Sequence, residues 1–518
     1  MKKQIVSNIV SHYVLNVVGM ALGFLLIPFL IGRIGREAFG LIVLAESMMS
    51  FFEVLTISLR IAISRHATVA AAGGDDKRFA EYLSTGHAVM AVCAATAVGI
   101  GAAIAAGFPS VFRVPAGLET ESRVLFLMVV VSFAWSVRNT AYWSALYAKQ
   151  RFDLIHTSAS AGLVIRAAAL FALYGLMPKG GASLVPYAAV GLGMAIGQNA
   201  IIRFWHERLL PGVVYSIMAC RRERLREILS FAGHTSVARL GQVLYGDTAN
   251  LLINLWWGPA ANAIFALSAK FPELIRRFLI EPTWSLTPTF TDLAARQERR
   301  SMETLFFSYS KGLAIVGFPI CFVIALLADP LMNLWLGPGY EEAAQLVPLN
   351  MLWLFFGIPF ALIGCVLNAY ARVRVPSYVS LCSAVLHVFL CVLLGRTFGM
   401  GLAGMALAGA LASSLLPNLF FPLYVCRTAG FPLARYWGEV FAKPFALSAL
   451  ICAGGISALR AGGAHGPALV AMGGGLMLLS YAAAAALLLT RDEKKLAADT
   501  LRLGLGRLGL TATAGGAR

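Results

Sequence analysis

The feature that most constrains this chain is a succession of apolar segments, each about 20 residues long, which is the length an α-helix needs to cross a bilayer. Hydrophobic residues make up 59% of the sequence and charged residues 13%, against about 45–50% and about 25% in soluble domains. The pattern therefore predicts an all-α, polytopic membrane protein with about fourteen transmembrane helices and excludes a soluble globular fold. The predicted spans centre on 9–32, 38–59, 83–108, 122–146, 158–178, 184–205, 231–256, 259–281, 303–327, 344–369, 377–397, 401–426, 441–460 and 467–490.

The net charge of +17 follows the same alternation of spans and connections. Roughly 28 of the 42 Lys and Arg residues lie in every second connection and at the two termini, and about seven lie in the other connections. Because cytoplasmic connections retain Lys and Arg, this distribution predicts an even number of spans, with both termini in the cytoplasm. The basic charge is thus a signal of topology, and no nucleic-acid partner is expected.

The first six predicted spans resemble the next six at an offset of 223 residues. The basic segment 147–151 (YAKQR) aligns with 370–374 (YARVR), and Gly35 aligns with Gly258. Six spans return the chain to its starting side, so the two copies run parallel, as in transporters whose substrate site lies between two halves. The predicted domains are an N-lobe at 1–228, a C-lobe at 229–430, two further spans at 431–490 and a basic cytoplasmic tail at 491–518.

Three motifs resemble a known family. They are the first hairpin at 28–40 (PFLIGRIGREAFG) with Asn8 and Asn16 before it, the segment 336–343 (LGPGYEEA) followed by 368–372 (NAYAR), and Asp247 with Gly258 and Phe265 beyond it. Together with the span number and the repeat, they resemble the polysaccharide-transporter (Wzx-type) flippases. That family belongs to the multidrug/oligosaccharidyl-lipid/polysaccharide exporter superfamily.

The resemblance implies two six-helix lobes around a central cavity, in a bacterial cytoplasmic (inner) membrane. It implies alternating access that moves a lipid-linked oligosaccharide, on a carrier of the undecaprenyl-pyrophosphate type, from the inner to the outer leaflet. The expected partners are this anionic substrate, membrane lipids and other membrane proteins of polysaccharide assembly. The alternatives within the superfamily are a peptidoglycan-precursor flippase and a multidrug exporter.

A polytopic polysaccharide polymerase or ligase is the alternative from another class. Such enzymes would carry acid and base side chains in a sizeable outer connection, whereas the outer connections here are short. The sequence also has no Gly-rich phosphate loop followed by Lys, so direct use of ATP is not expected. No Cys/His pattern with metal-ligand spacing occurs among the eight cysteines. We therefore expect a transporter without a cofactor rather than an enzyme.

Basic residues inside the spans are the candidates for binding the substrate's phosphates. An ionisable group at mid-membrane is costly unless it faces protein or water, so such residues mark functional sites by default. Arginine suits phosphate because its planar fork can donate two hydrogen bonds at once. The candidates in order of preference are Arg239, Arg166, Arg138, Lys270 and Arg276.

Acidic residues inside the spans are the candidates for the cavity wall and for coupling to H⁺ or Na⁺. They are Asp247, Glu46, Glu53 and Glu273. Glu46 and Glu53 lie seven residues apart and so share one helix face. In the eighth span, Arg277 is predicted to pair with Glu273 and also with Glu281, both four residues away. The alternative for all these charges is that they pair with one another and only fasten helices together.

Overall fold

The computed structural model describes residues 2–177, 183–211, 215, 220–370, 372, 374–413, 417–491 and 493–494. All regular structure within these ranges is helical, and none of these residues lies in a strand, which confirms the all-α prediction. Most of the predicted tail, from 495 to 518, lies outside the described residues, as do 371 and 373 of the second basic segment.

Helices follow one another from end to end of the described chain. The first ten are α1 (Lys2–Ala72), α2 (Asp76–Ala106), α3 (Phe108–Val111), α4 (Glu119–Arg138), α5 (Thr140–Ala148), α6 (Phe152–Leu176), α7 (Val185–Leu209), α8 (Arg222–Gly246), α9 (Thr248–Trp257) and α10 (Pro259–Ser268). Next come α11 (Lys270–Ile275), a π-helical turn (Arg276–Ile280), a 3₁₀ segment (Glu281–Leu286), α12 (Thr287–Ala295), α13 (Arg299–Leu326), α14 (Ala328–Leu336), α15 (Glu341–Phe360) and α16 (Ile363–Ala369).

The remaining helices contain several π-helical turns. They are α17 (Arg374–Leu390) with a π segment (Cys391–Thr397), α18 (Gly401–Ser413), α19 (Leu419–Ala429), α20 (Leu433–Arg435) with a π segment (Tyr436–Ala442), α21 (Lys443–Ser448) with a π segment (Ala449–Ala453), α22 (Gly454–Ala461) and α23 (Gly466–Leu487).

Ten helical stretches in the described residues are long and apolar enough to cross a membrane, so the chain is a multi-pass membrane protein. The predicted number of spans is larger than this count of stretches, partly because α1 is one helix interrupted at Gly35 and its two arms carry the first two predicted spans. Other predicted spans are shared between consecutive helices, such as 122–146 between α4 and α5. The total of about fourteen crossings stays a prediction.

The chain forms two compact units by its internal contacts. The first comprises Met1–Lys270 with Ser377–Ala412, and the second comprises Phe271–Pro376 with Ser413–Arg518. In the first unit, α1 packs against α6, α8 and α10, and α2 packs against α4. In the second unit, α13 packs against α15, and α12 against α16, around a core that includes Phe290, Phe306 and Tyr436. The predicted lobe limits at 228 and 430 stay a prediction.

Connections that the charge pattern assigns to the same side contact one another. On the predicted outer side, Arg33 Nη1 donates to the Met177 carbonyl oxygen at 3.3 Å, and the Leu184 amide donates to the Glu121 carboxylate at 2.6 Å. On the predicted cytoplasmic side, Arg224 lies 3.2 Å from the Glu81 carboxylate. These contacts agree with the predicted alternation of sides, whereas the assignment of one side to the cytoplasm stays a prediction.

The backbone shows two correspondences at the offset of the predicted repeat. Gly35 has φ 83° and ψ 168°, and Gly258, 223 residues later, has φ 89° and ψ −178°. Both values lie in a region that is essentially restricted to glycine. Likewise, α4 is separated from α5 at Asn139, and α15 is separated from α16 around Leu362, 223 residues further on. These are local correspondences, and the repeat as a whole stays a prediction.

Candidate functional site

Three polar side chains from separate helices of the first unit meet one another. Arg166 of α6 donates from Nη2 to the Tyr187 hydroxyl at 2.6 Å, and that hydroxyl donates to Glu46 Oε1 at 2.5 Å. Arg166 Nη2 also lies 3.6 Å from Glu46 Oε1, which makes an ion pair. We call Arg166, Tyr187 and Glu46 the Arg166 triad. It joins two residues that the sequence predicted separately as a phosphate-binding cation and a cavity carboxylate.

The geometry of the triad leaves its charged members accessible. Tyr187 is buried, whereas the side chain of Glu46 is 53% exposed and that of Arg166 is 32% exposed. Arg166 Nε is buried and has no hydrogen-bond partner among the described residues. A guanidinium has five N–H donors, so Arg166 keeps donor capacity beyond its contacts with Tyr187 and Glu46. Tyr187 was missed because the sequence search considered only charged groups.

A second group of charges lies further along α1, where that helix packs on α8. Asp247 accepts a hydrogen bond from the Ser50 side chain and interacts electrostatically with Glu53 and Arg239. Arg60 interacts electrostatically with both Glu53 and Arg239. We call Glu53, Arg60, Arg239 and Asp247 the α1–α8 cluster, in which two cations and two carboxylates balance.

The α1–α8 cluster combines three predicted residues with one that was not predicted. Arg60 lies just beyond the predicted second span at 38–59, yet it follows Glu53 by seven residues and therefore lies on the same helix face. Asp247 lies at the joint between α8 and α9, since α8 ends at Gly246. The sequence did not predict this interruption of the seventh span.

Neutral polar side chains line the neighbouring part of α9. Asn250 donates to the Ser47 hydroxyl at 2.9 Å, and Asn262 of α10 donates to the Gly40 carbonyl oxygen at 3.3 Å. Asn254 is fully buried, and neither polar atom of its side chain has a hydrogen-bond partner within the described ranges. Burying an unsatisfied amide is costly. The sequence analysis did not predict these polar residues of α9 and α10. The signal that could have found them is the occurrence of asparagines within an apolar span.

In the second unit, the charges of the predicted eighth span pair within their own segment. Arg277 lies 2.5 Å from Glu273, as predicted, and Arg276 lies 2.7 Å from Glu281. The predicted pairing of Arg277 with Glu281 is wrong, because Arg276–Ile280 forms a π-helical turn. The i→i+5 spacing of such a turn brings Glu281 beside Arg276 instead.

The two remaining candidates lie at helix ends. Arg138 is exposed at the end of α4, where its backbone carbonyl forms a hydrogen bond with His87. Lys270 is half-buried at the start of α11. Across the described residues, no three His, Cys, Asp or Glu side chains lie close enough together to hold a metal ion.

The described residues form a helical membrane fold in which charged side chains lie between apolar helices. Residues 30–345 match the family model described as "Polysaccharide biosynthesis protein", and the chain belongs to that family. Over 408 residues, it is 24% identical to the uncharacterized membrane protein EpsK of Bacillus subtilis (strain 168), covering 78% of this chain and 79% of EpsK.

Two solved structures show the same fold. The lipid II flippase MurJ, in an inward closed conformation, superposes with a TM-score of 0.68 at 13% identity, covering 92% of this chain and 96% of MurJ. An inward-facing multidrug resistance MATE family transporter of the MOP superfamily superposes with a TM-score of 0.67 at 13% identity, covering 80% of this chain and 94% of that transporter. These findings confirm the predicted resemblance to flippases of this superfamily and the transporter fold.

Proposed function

We propose that this protein is a flippase that moves a lipid-linked oligosaccharide, on a carrier of the undecaprenyl-pyrophosphate type, from the inner to the outer leaflet by alternating access. The family supports a role in polysaccharide biosynthesis, and the fold supports transport. The observation that carries the proposal is the Arg166 triad, which holds an arginine with spare donors between three apolar helices.

The chemistry of the substrate suits this arrangement. A pyrophosphate is anionic and binds best to arginines whose hydration has been partly removed. Glu46 holds Arg166 in place when the substrate is absent, and a phosphate oxygen replaces that carboxylate when the substrate binds. Arg239 in the α1–α8 cluster interacts electrostatically with Asp247. Lys270, Arg138 and Arg276 are the secondary cations in this proposal.

Coupling to H⁺ or Na⁺ is part of the same proposal and needs no cofactor. A phosphate that displaces Glu46 from Arg166 leaves that carboxylate without its cation, which favours uptake of a proton or Na⁺. Asp247 and Glu53 are the next candidates, because Asp247 interacts electrostatically with both Arg239 and Glu53. Glu273 is the weakest of the four candidate carboxylates because Arg277 neutralises it locally. The cytoplasmic position of both termini, in a bacterial inner membrane, belongs to the proposal as well.

The test is transport of a fluorescent lipid-linked oligosaccharide in proteoliposomes that contain the purified protein. We expect Arg239→Gln and Arg166→Gln to lower the initial rate by about ten- to a hundred-fold, the scale of a lost charge-assisted contact. The matched control is Arg296→Gln, which removes an exposed arginine paired with Asp292 at 3.0 Å. The control should transport within about two-fold of the unmodified protein.

The alternatives give different results in the same system. Unchanged transport by both arginine variants would contradict the site, and no transport of any lipid-linked sugar by the unmodified protein would contradict the proposed function. A strong preference for a lipid-linked peptidoglycan precursor, or for a cationic drug, would assign the protein to the alternatives within the superfamily. In cells lacking the protein, the lipid-linked unit should accumulate on the inner leaflet, whereas loss of a polymerase or ligase would leave it on the outer leaflet.

A further inference from the structure

A small pocket in the first unit has a composition unlike that of the groups described above. Its volume is about 290 Å³, and its lining includes Arg113, Trp256, Trp257, Gly395 and Arg396. These residues come from the connection before α4, the end of α9 and the π-helical segment that follows α17. The charge pattern assigns all three places to the outer side, and their meeting in one pocket agrees with that assignment.

The pocket is strongly cationic. Neither Arg113 nor Arg396 has a carboxylate within 4.0 Å among the described residues, and no Asp or Glu lines the pocket. The Arg396 guanidinium lies over the Trp256 ring, 5.7 Å from the ring centroid. An arginine stacked in this way keeps the N–H edge of its fork available for two parallel hydrogen bonds to a carboxylate or phosphate.

The aromatic wall of the pocket is held in a defined position. The Trp256 and Trp257 rings meet edge to face, with centroids 5.4 Å apart at 87°. A Cβ added at Gly395 would lie 2.8 Å from Met405 Sδ and 3.4 Å from the Trp257 ring, so the glycine permits close packing of this wall. Flat indole surfaces beside arginines are complementary to a ring with an anionic substituent. The C–H face of the ring packs on the indole, and the anionic substituent pairs with the arginines.

We propose that this pocket binds an acidic sugar of the transported oligosaccharide, with the carboxylate of a hexuronic acid on Arg113 and Arg396 and the sugar ring against Trp256. The proposal rests on the proposed function and adds a substrate class to it. The volume lies just below the roughly 300–1,000 Å³ of typical ligand pockets, so the pocket accommodates one small ring rather than a whole repeat unit. The competing occupant is an anionic lipid headgroup, because Trp and Arg also collect at membrane interfaces.

The decisive experiment compares two lipid-linked disaccharides that differ only in a terminal glucuronate or glucose. The unmodified protein in proteoliposomes should transport the acidic substrate faster. In the double variant Arg113→Gln/Arg396→Gln, the ratio of acidic to neutral rates should fall about ten-fold, since one hydrogen bond to a charged group is worth at least that factor. The control is Arg123→Gln, which removes an exposed arginine at the start of α4 that does not line the pocket.

A binding measurement separates the two occupants. Purified protein is titrated with sodium glucuronate, with glucose and with vesicles containing phosphatidylglycerol, and tryptophan fluorescence is measured. Quenching of the Trp256 fluorescence is identified by its loss in Trp256→Phe. Quenching by glucuronate but not by glucose, abolished in the double variant, supports the proposal. The proposal is overturned if phosphatidylglycerol quenches the fluorescence and glucuronate does not. It is also overturned if the ratio of acidic to neutral rates is unchanged in the double variant. If the unmodified protein transports neither disaccharide, the proposed function itself fails, whereas equal rates for the two substrates reject only the acidic-sugar site.

Discussion

The two units treat intramembrane charge in different ways. In the first unit, Arg166, Tyr187 and Glu46 come from three helices and are joined by hydrogen bonds that cross between them. In the second unit, Arg276 pairs with Glu281, which lies only five residues further along the same segment. A charge neutralised by its own segment is independent of how other helices pack. A charge held by other helices changes its partners whenever those helices move, as alternating access requires.

Backbone packing gives the largest expected difference between the units. A Cβ added at Gly40 on α1 would lie 1.8 Å from the Pro259 carbonyl oxygen, whereas one added at Gly317 on α13 would meet the side-chain end of Ile358 at 2.6 Å. Because a backbone carbonyl cannot rotate away, Gly40→Ala should cost more than about 3 kcal/mol and Gly317→Ala about 1–2 kcal/mol. Thermal unfolding in detergent, followed by circular dichroism, measures both.

Gly32→Ala is the control for those two variants, because Gly32 lies on α1 as Gly40 does and nothing stands within 4 Å of its added Cβ. It should leave stability unchanged or raise it by about 0.5–1 kcal/mol through helix propensity. Equal melting temperatures for Gly40→Ala and Gly32→Ala would refute the tight crossing of α1 and α10.

The next largest effect concerns transport. Tyr187→Phe removes only the hydroxyl that joins Arg166 to Glu46, and we expect the rate to fall about ten-fold because two charge-assisted hydrogen bonds are lost. Arg276→Gln in the second unit should lower the transport rate by no more than about three-fold. Arg276 and its partner Glu281 are both half-exposed, so water already weakens their interaction. A larger loss for Arg276→Gln than for Tyr187→Phe would reverse the comparison between the units.

A third prediction concerns the pH dependence of stability in the second unit. Lys311 Nζ lies 2.9 Å from Glu493 Oε2, and both side chains are largely buried. Burial raises the pKa of Glu493, but hydrogen bonds from the Thr490 amide and Lys311 outweigh it and hold the pKa below its ordinary value of 4.5. The stabilisation is therefore complete above that value and disappears as pH falls through the lowered pKa.

Glu493→Gln tests this ion pair. At neutral pH the variant should be about 1–2 kcal/mol less stable, because Lys311 loses its anionic partner. The difference should shrink on acidification and vanish below the pKa of Glu493. A difference independent of pH would show that packing, rather than charge, accounts for the effect.

The smallest expected effect is the coupling between Glu273 and Arg277. Their side chains are 33% and 42% exposed, so the pair should contribute about 0.3–0.5 kcal/mol. A double-mutant cycle with Glu273→Gln and Arg277→Gln measures this coupling. A value above about 1 kcal/mol would show that these charges are more strongly desolvated than their exposure indicates.

Hydropathy and charge were enough to predict the helical membrane fold, because both depend on local composition. Pairings such as Glu46 with Arg166 were beyond the sequence, since 120 residues separate them and only packing decides which helices touch. Tyr187 escaped because its role depends on two charged neighbours rather than on its own charge. Glu281 pairs with Arg276 and not, as predicted, with Arg277, because the segment forms a π-helical turn. No residue pattern in this segment predicts that turn.

The breaks at Gly35 and Gly258 have a consequence for chirality. Inverting the signs of φ and ψ at either residue gives the ordinary extended backbone of an L-amino acid. Both breaks therefore use a mirror-image conformation, which glycine adopts freely because its Cα is not chiral. Nothing lies within 4 Å of an added Cβ at Gly35. A D-alanine introduced there by chemical synthesis should fit where L-alanine would be strained.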